Sequence, residues 1–286
     1  MDNRPIGIFD SGLGGLTAVR ELHSLLPREE IVYFGDTGRV PYGTRSPETI
    51  RKYAQQDIAF LLSKHVKMVL AACGTVSSLA DTFRHTVPVP FTGVVEPASR
   101  AAAQATRNRR VGVIATTATI RSHCYRQTLQ RLDPAIQVVE QDCPLFVPLV
   151  ENGFLDPGDP IPYMTAQRYL RPLQESGIDT LILGCTHYPL LRPILADIMG
   201  AGVALIDSGQ ETASFTSMLL QQEGLLCGEE RDGTCSFFVS DRVEGFSQAA
   251  RLFLGGEADP RVQYVDLDSF GKETTGCLEE IPCPKN

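Results

Sequence analysis

Two short apolar runs in this chain end in the same way. Val69-Leu70-Ala71-Ala72 closes on Cys73, and Leu181-Ile182-Leu183-Gly184 closes on Cys185; the residues that follow are Gly74-Thr75 and Thr186-His187. A continuous apolar run bounded by turn-forming residues is the mark of a strand buried on both faces, which occurs in parallel sheets covered by helices. Two such strands, each presenting a thiol where it ends, restrict the chain to an α/β architecture, with two similar halves as the economical arrangement.

The remaining pattern agrees. Short β-branched runs alternate with longer amphipathic stretches, which predicts a mostly parallel sheet arrangement. Strands are expected at 6–10, 30–34, 68–72, 111–115, 137–139, 180–184, 204–206 and 236–240. Helices are expected from Leu16 until Pro27 stops the chain, and then at 48–63, 96–105, 164–175, 190–199 and 210–223. Ile6-Gly7-Ile8-Phe9-Asp10-Ser11 resembles Val111-Gly112-Val113-Ile114-Ala115-Thr116, and each precedes its cysteine by a similar distance. A link is expected near Val95-Glu96-Pro97 and a return crossing at Ile206-Asp207-Ser208-Gly209. The expected first domain is therefore 1–96 plus 207–286, carrying Cys73, and the second is 97–206, carrying Cys185. The stretch 268–286 is poor in core residues and is expected to be a loose tail.

The 286 residues suffice for two modest domains. With 26 basic and 34 acidic side chains the net charge is −8, so the footprint of a nucleic-acid binder is missing and no nucleic-acid partner is expected. No apolar stretch approaches the roughly 20 residues that a membrane-crossing helix needs. Met1 to Pro5 lead directly into the first strand without a basic and then apolar leader, so the expected location is the cytoplasm.

Eight cysteines could be disulfides, metal ligands, buried thiols or nucleophiles. No Cys-x-x-Cys occurs, and the pair Cys185 and His187 has no companion cluster, so no metal site is expected. Cys124, Cys143, Cys227, Cys235, Cys277 and Cys283 read as small hydrophobic side chains. Cys73 and Cys185 read differently, because ligands of open parallel sheets bind at the carboxyl ends of strands, beside the N–H groups and positive dipole end of the next helix. That placement is expected to favour thiolate. One thiol from each half can put an acid and a base on opposite faces of one ligand, a geometry that suits inversion of a carbon stereocentre.

Asp10-Ser11-Gly12-Leu13-Gly14-Gly15 follows a strand and opens a helix, yet it fits neither the dinucleotide fingerprint, whose third glycine would fall at Thr17, nor the Walker pattern, which needs a lysine. The glycines suit close backbone approach, with Asp10 and Ser11 facing a ligand amine or carboxylate. Gly35 to Gly43 reads as a compact loop, and His187 could assist proton movement.

The chain resembles the cofactor-independent aspartate/glutamate racemase superfamily, and within it the glutamate-specific family. The resemblance lies in Gly7-Ile8-Phe9-Asp10-Ser11-Gly12-Leu13-Gly14-Gly15, Tyr33-Phe34-Gly35-Asp36-Thr37, Val40-Pro41-Tyr42-Gly43 and Leu183-Gly184-Cys185-Thr186-His187-Tyr188-Pro189, and covers nearly the whole length. It implies two pseudo-symmetric flavodoxin-like domains with the active site in the cleft between them. It also implies no cofactor, no metal, and reversible racemisation of L- and D-glutamate that supplies D-glutamate for peptidoglycan, in a protein for which related enzymes form a homodimer in differing arrangements. Carried over residue by residue, it makes Cys73 and Cys185 the opposed acid and base, assisted by Asp10, Glu151 and His187. It places Asp10, Ser11, Pro41, Tyr42, Gly43, Gly74, Thr75, Thr116, Thr119, Thr186 and His187 around the substrate.

One departure stands out: the family usually reads Ala-Cys-Asn-Thr-Ala where this chain has Ala72-Cys73-Gly74-Thr75-Val76. A lost polar contact to a charged ligand costs about 1–3 kcal/mol. Three rivals remain at this point: a racemase of aspartate or hydantoin, a non-catalytic two-lobed amino-acid binding protein, and a cysteine hydrolase built on Cys185 and His187, which leaves Cys73 without a purpose.

Overall fold

The computed structural model describes residues 1–241, 243–255 and 261–267. In chain order the elements are β1 (Ile6–Asp10), α1 (Leu16–Leu25), β2 (Ile31–Gly35), α2 (Pro47–Ser63), β3 (Met68–Ala71), α3 (Gly74–Ser77), β4 (Phe91–Gly93) and α4 (Val95–Ala105). They continue with β5 (Arg110–Ala115), α5 (Thr117–Ser122), α6 (Cys124–Leu132), β6 (Gln137–Asp142), α7 (Phe146–Glu151), α8 (Pro160–Glu175), β7 (Thr180–Leu183) and α9 (Arg192–Met199). The last are β8 (Ala204–Asp207), α10 (Ser208–Gln222), β9 (Cys235–Val239), α11 (Val243–Leu254) and β10 (Val262–Tyr264).

The strands form two sheets, β10-β9-β2-β1-β3-β4 and β6-β5-β7-β8, and every described pairing is parallel. The two share an arrangement. In each, the first strand lies between its second and third, with the fourth outside the third. Thus β1 pairs with β3 through Ile6–Met68 to Phe9–Ala71, and β5 pairs with β7 through Val111–Thr180 to Ile114–Leu183. The repeat visible in the sequence is therefore β1 against β5.

Burial follows the strand alternation. Ile6, Ile8, Met68 and Leu70 pack with Leu16, Val19 and Leu22 of α1 on one face, while Phe9, Val69 and Ala71 pack with Ile58 and Leu61 of α2 on the other. Each of these side chains except Ala71 contributes roughly 1.5–3 kcal/mol by leaving water. Helix starts are specified locally: the Ser46 hydroxyl accepts from Thr49 N ahead of Pro47, and Asp159 accepts from Ile161 N ahead of Pro160. The expected return crossing is another cap, with Asp207 Oδ1 accepting from Gly209 N at 2.8 Å and Gln210 N at 3.2 Å at the start of α10.

The structure also corrects several expectations. The link expected near Val95-Glu96-Pro97 is not a loop but the first turn of α4, between β4 of one sheet and β5 of the other, where a proline is tolerated because its missing N–H would be unpaired anyway. The helix expected at 190–199 is a 3₁₀ turn, Tyr188–Leu191, followed by α9, since Pro189 and Pro193 suit helix starts. The expected tail at 268–286, with Cys277 and Cys283, lies outside the described residues. Among the described residues no helix is long and apolar enough to cross a membrane.

Candidate functional site

The carboxyl ends of β1 and β3 face those of β5 and β7 across a cavity of about 310 Å³. Both Cys73 and Cys185 line it, each about 95 % buried, with exposures of 5 % and 6 %. Around them stand Asp10, Ser11, Pro41, Tyr42, Gly43, Gly74, Thr75, Thr116, Glu151, Thr186 and His187, all singled out in the sequence. Thr119 lies one layer back, its hydroxyl 3.0 Å from that of Thr116. The sequence did not point to the apolar wall of Cys143, Pro144, Val147 and Pro148, which the segment before and within α7 brings to the cavity. A larger cavity of about 460 Å³ lies elsewhere, between residues such as Asp81, Arg84, Glu96 and Arg131. Their charges pair among themselves, and neither central thiol reaches it.

The thiols have different neighbours. Cys73 Sγ lies 3.6 Å from Ser11 Oγ, and burial together with nearby Asp10 pushes its thiol up to about 12. This reverses the expected bias towards thiolate: α3 is only four residues long, and its N–H groups do not offset the loss of water. Cys185 Sγ lies 3.8 Å from His187 Nδ1, and His187 Nε2 lies 3.1 Å from Glu151 Oε1. Burial alone would lower the His187 imidazolium, but its contacts with Cys185 and Glu151 and the nearby Asp10 carry it up to about 10, so the ring holds its proton more tightly than a free imidazole. Asp10 is held by the N–H of Gly12 at 2.9 Å, and burial raises its carboxyl.

Two glycines set how closely the halves approach. A Cβ on Gly14 would lie 2.1 Å from Thr186 Oγ1 and 2.6 Å from His187 Nδ1, so the β1–α1 turn can lie against the second half only with glycine there. The Thr17 hydroxyl sits at this seam, 2.8 Å from the Gly14 carbonyl oxygen and 3.2 Å from that of Thr186. A Cβ on Gly74 would lie 2.5 Å from the Gly184 carbonyl oxygen. The family asparagine therefore has no room here unless the backbone shifts. Thr75 Oγ1 lies 3.1 Å from Thr116 Oγ1 nearby, a further contact from one half to the other.

Hydroxyl groups and helix-start N–H groups ring the cavity, and these suit carboxylates and an amine. Among the described residues no group of three or more histidine, cysteine, aspartate or glutamate side chains could hold a metal ion.

Comparison with known proteins adds to this geometry. A family model described as Asp/Glu/Hydantoin racemase matches residues 14–216. A glutamate racemase from Geobacter metallireducens is 46% identical over 255 residues, covering 89% of this chain and 94% of that protein. The crystal structure of glutamate racemase from Francisella tularensis in complex with D-glutamate superposes with a TM-score of 0.86 at 38% identity, covering 94% of this chain and 100% of the other. A glutamate racemase isoform from Bacillus anthracis superposes with a TM-score of 0.89 at 36% identity, covering 93% and 99%.

Proposed function

The chain belongs to the Asp/Glu/hydantoin racemase family, and from that membership we propose that it interconverts L- and D-glutamate by proton transfer between Cys73 and Cys185. The observation that carries this reading is the pair of thiols, one from each half, on a single cavity. Glutamate as the substrate is supported by the naming of the full-length relatives and by the D-glutamate complex of one of them.

One sulfur, as thiolate, takes the α-proton, and the C–H electron pair stays on the α-carbon. The other sulfur, as thiol, then gives its proton to the opposite face. The product has inverted configuration, each sulfur has exchanged its protonation state, and the reverse direction exchanges their roles. Cys73, raised to about 12, rests as the thiol, while the His187 cation stands ready to hold negative charge on Cys185. Ser11, Thr75, Thr116 and Thr186, with the N–H groups of Gly43 and Gly74, hold the carboxylates and amino group and stabilise the developing carbanion in a site shielded from water.

The Cys185, His187 and Glu151 series also has the layout of a nucleophile, a base and its orienter. Cys73 on the same cavity argues against a hydrolase. Both thiols come from one chain, and a homodimer would hold two such cavities. The physiological role that follows is supply of D-glutamate for peptidoglycan in the cytoplasm.

The deciding experiment incubates the protein with each glutamate enantiomer in heavy water. Deuterium should appear at the α-carbon of the product, and aspartate should turn over far more slowly than glutamate. Both enantiomers recovered without label would defeat the proposal.

A further inference from the structure

Behind the loop that forms one wall of the cavity lies a group of ionisable side chains that the proton transfer does not use. Asp36, just after β2, and Asp57, on α2, are fully buried, and the Tyr42 hydroxyl sits between them. That hydroxyl is in close hydrogen-bonding contact with Asp36 Oδ2 and lies 3.1 Å from Asp57 Oδ2. Arg39 joins the same two carboxyls, with Nε 2.5 Å from Asp36 Oδ2 and Nη2 2.8 Å from Asp57 Oδ1. Its guanidinium also lies over the Tyr53 ring, 4.1 Å from the centroid.

These contacts need one proton more than the fully ionised groups supply. A phenol carries a single O–H and can donate to one carboxylate only. Asp36 accepts in addition from Arg39 and, through Oδ1, from Ser240 Oγ at 2.7 Å, so both its oxygens already accept hydrogen bonds. If Tyr42 donates to Asp36, Asp57 Oδ2 meets a phenol oxygen with no proton to give, and two buried acceptors would stand together unsatisfied. A proton on Asp57, donated to the Tyr42 oxygen, removes that conflict. Burial and the neighbouring Asp36 both push the Asp57 carboxyl well above the usual range; Asp10 adds to the push, and Arg39 and the Tyr42 contact oppose it.

We propose that Asp57 is a positioning residue for the racemase reaction, a proton-bearing acid that locks Tyr42 to Asp36 and so fixes the cavity wall from Val40 to Thr44. Those five residues all line the cavity, and a Cβ on Gly43 would sit 3.2 Å from Thr116 Cβ across it, so a small drift of this loop reaches the substrate's seat. With its hydroxyl committed to Asp36 and Asp57, Tyr42 offers the cavity its backbone and ring. Asp57 does not line the cavity and acts through Tyr42 and Arg39. The proposal rests on the racemase reading given above.

The test compares wild type with Asp57→Asn and Asp57→Leu, following glutamate turnover in both directions, thermal unfolding and infrared difference spectra. Asparagine supplies an N–H in place of the acid O–H and an oxygen for Arg39, so Asp57→Asn should keep kcat/KM within about threefold. Leucine supplies neither, and Asp57→Leu should lose about ten- to a hundredfold in kcat/KM, mainly through KM, as the wall loses its register. Wild type minus Asp57→Asn should show the carbonyl band of a protonated carboxyl. Equal losses in the two variants, a folded Asp57→Leu with unchanged KM, or the absence of that band would each overturn the proposal. Should Asp57→Leu fail to fold, the asparagine variant and the band still decide. A wild-type protein with no racemase activity would instead strike the racemase reading, and the band would be read independently of it.

Discussion

Cys73 and Cys185 occupy matching places, after β3 and β7, each beside the first strand of its own sheet, yet their surroundings differ in charge. On the first side the neighbour at the end of β1 is Asp10, and the equivalent residue at the end of β5 is Ala115. On the second side the support is His187 backed by Glu151, whereas the residue two places after Cys73 is Thr75 and the hydrogen-bonding neighbour of that thiol is Ser11. A duplicated scaffold thus holds one thiol beside an acid and the other beside a cation. The lesson is that backbone symmetry brings both thiols to one cavity, while a few unmatched side chains give them different electrostatic surroundings.

The most severe way to break the comparison is to remove either sulfur. Cys73→Ala and Cys185→Ala should each lower racemisation by at least about 10²–10⁴-fold, because each direction needs both an acid and a base. A chiral assay of the folded variants checks this. Racemisation surviving in one of them at near wild-type rate would show that the sides are not partners.

Next come the unmatched supports. Asp10→Asn and His187→Gln should each cost on the order of tenfold or more in kcat/KM. Because the enantiomers have equal free energy, kcat/KM must fall by the same factor in both directions. Any difference between the sides will therefore show in kcat and in the α-deuterium isotope effect for each direction. Identical isotope effects in the two variants would erase the proposed division of labour.

The glycine contacts test how tightly the two sides must meet. Gly74→Asn restores the residue usual in the family, yet here it should weaken turnover, since its Cβ would collide with the Gly184 carbonyl. Overpacking of this kind costs about 1–3 kcal/mol, so Gly74→Ala should show most of the same loss. An asparagine variant faster than wild type would mean that the halves part readily.

The smallest effect is on stability. The His187 proton is held more tightly folded than unfolded, so its contribution is complete below pH 6.5 and is lost as pH rises towards about 10. Urea unfolding between those limits should show a decline that His187→Gln flattens. From about pH 9 upward the raised Cys73 thiol adds a decline of its own, overlapping the end of the first, since the unfolded thiol gives up its proton at about 9 and the folded one at about 12.

Much of this was legible in the sequence. β1, β3 and β7 are buried at every residue, so their runs are continuous and their ends, with Cys73 and Cys185, could be read directly. α3, α5 and α7 span four to six residues, too short for helical periodicity to register, and the apolar wall of the cavity went unseen with them. β6 runs past its apolar start into Glu140, Gln141 and Asp142 because it is an edge strand and only half-buried. Glu151 could be named only by resemblance, since a lone exposed glutamate carries no local signal. The raised Cys73 thiol is not legible, because a sequence shows that a helix follows a thiol but not how much water the fold removes from it.

The order of strands along the chain has one further consequence. β1 to β4 and then β9 and β10 build one sheet, and β5 to β8 build the other, so the polypeptide passes between them twice, after β4 and after β8. Two covalent straps side by side resist twisting and sliding far more than they resist folding about the line that joins them. The sheets that carry the two sulfurs are thus tied to each other at two points of one chain.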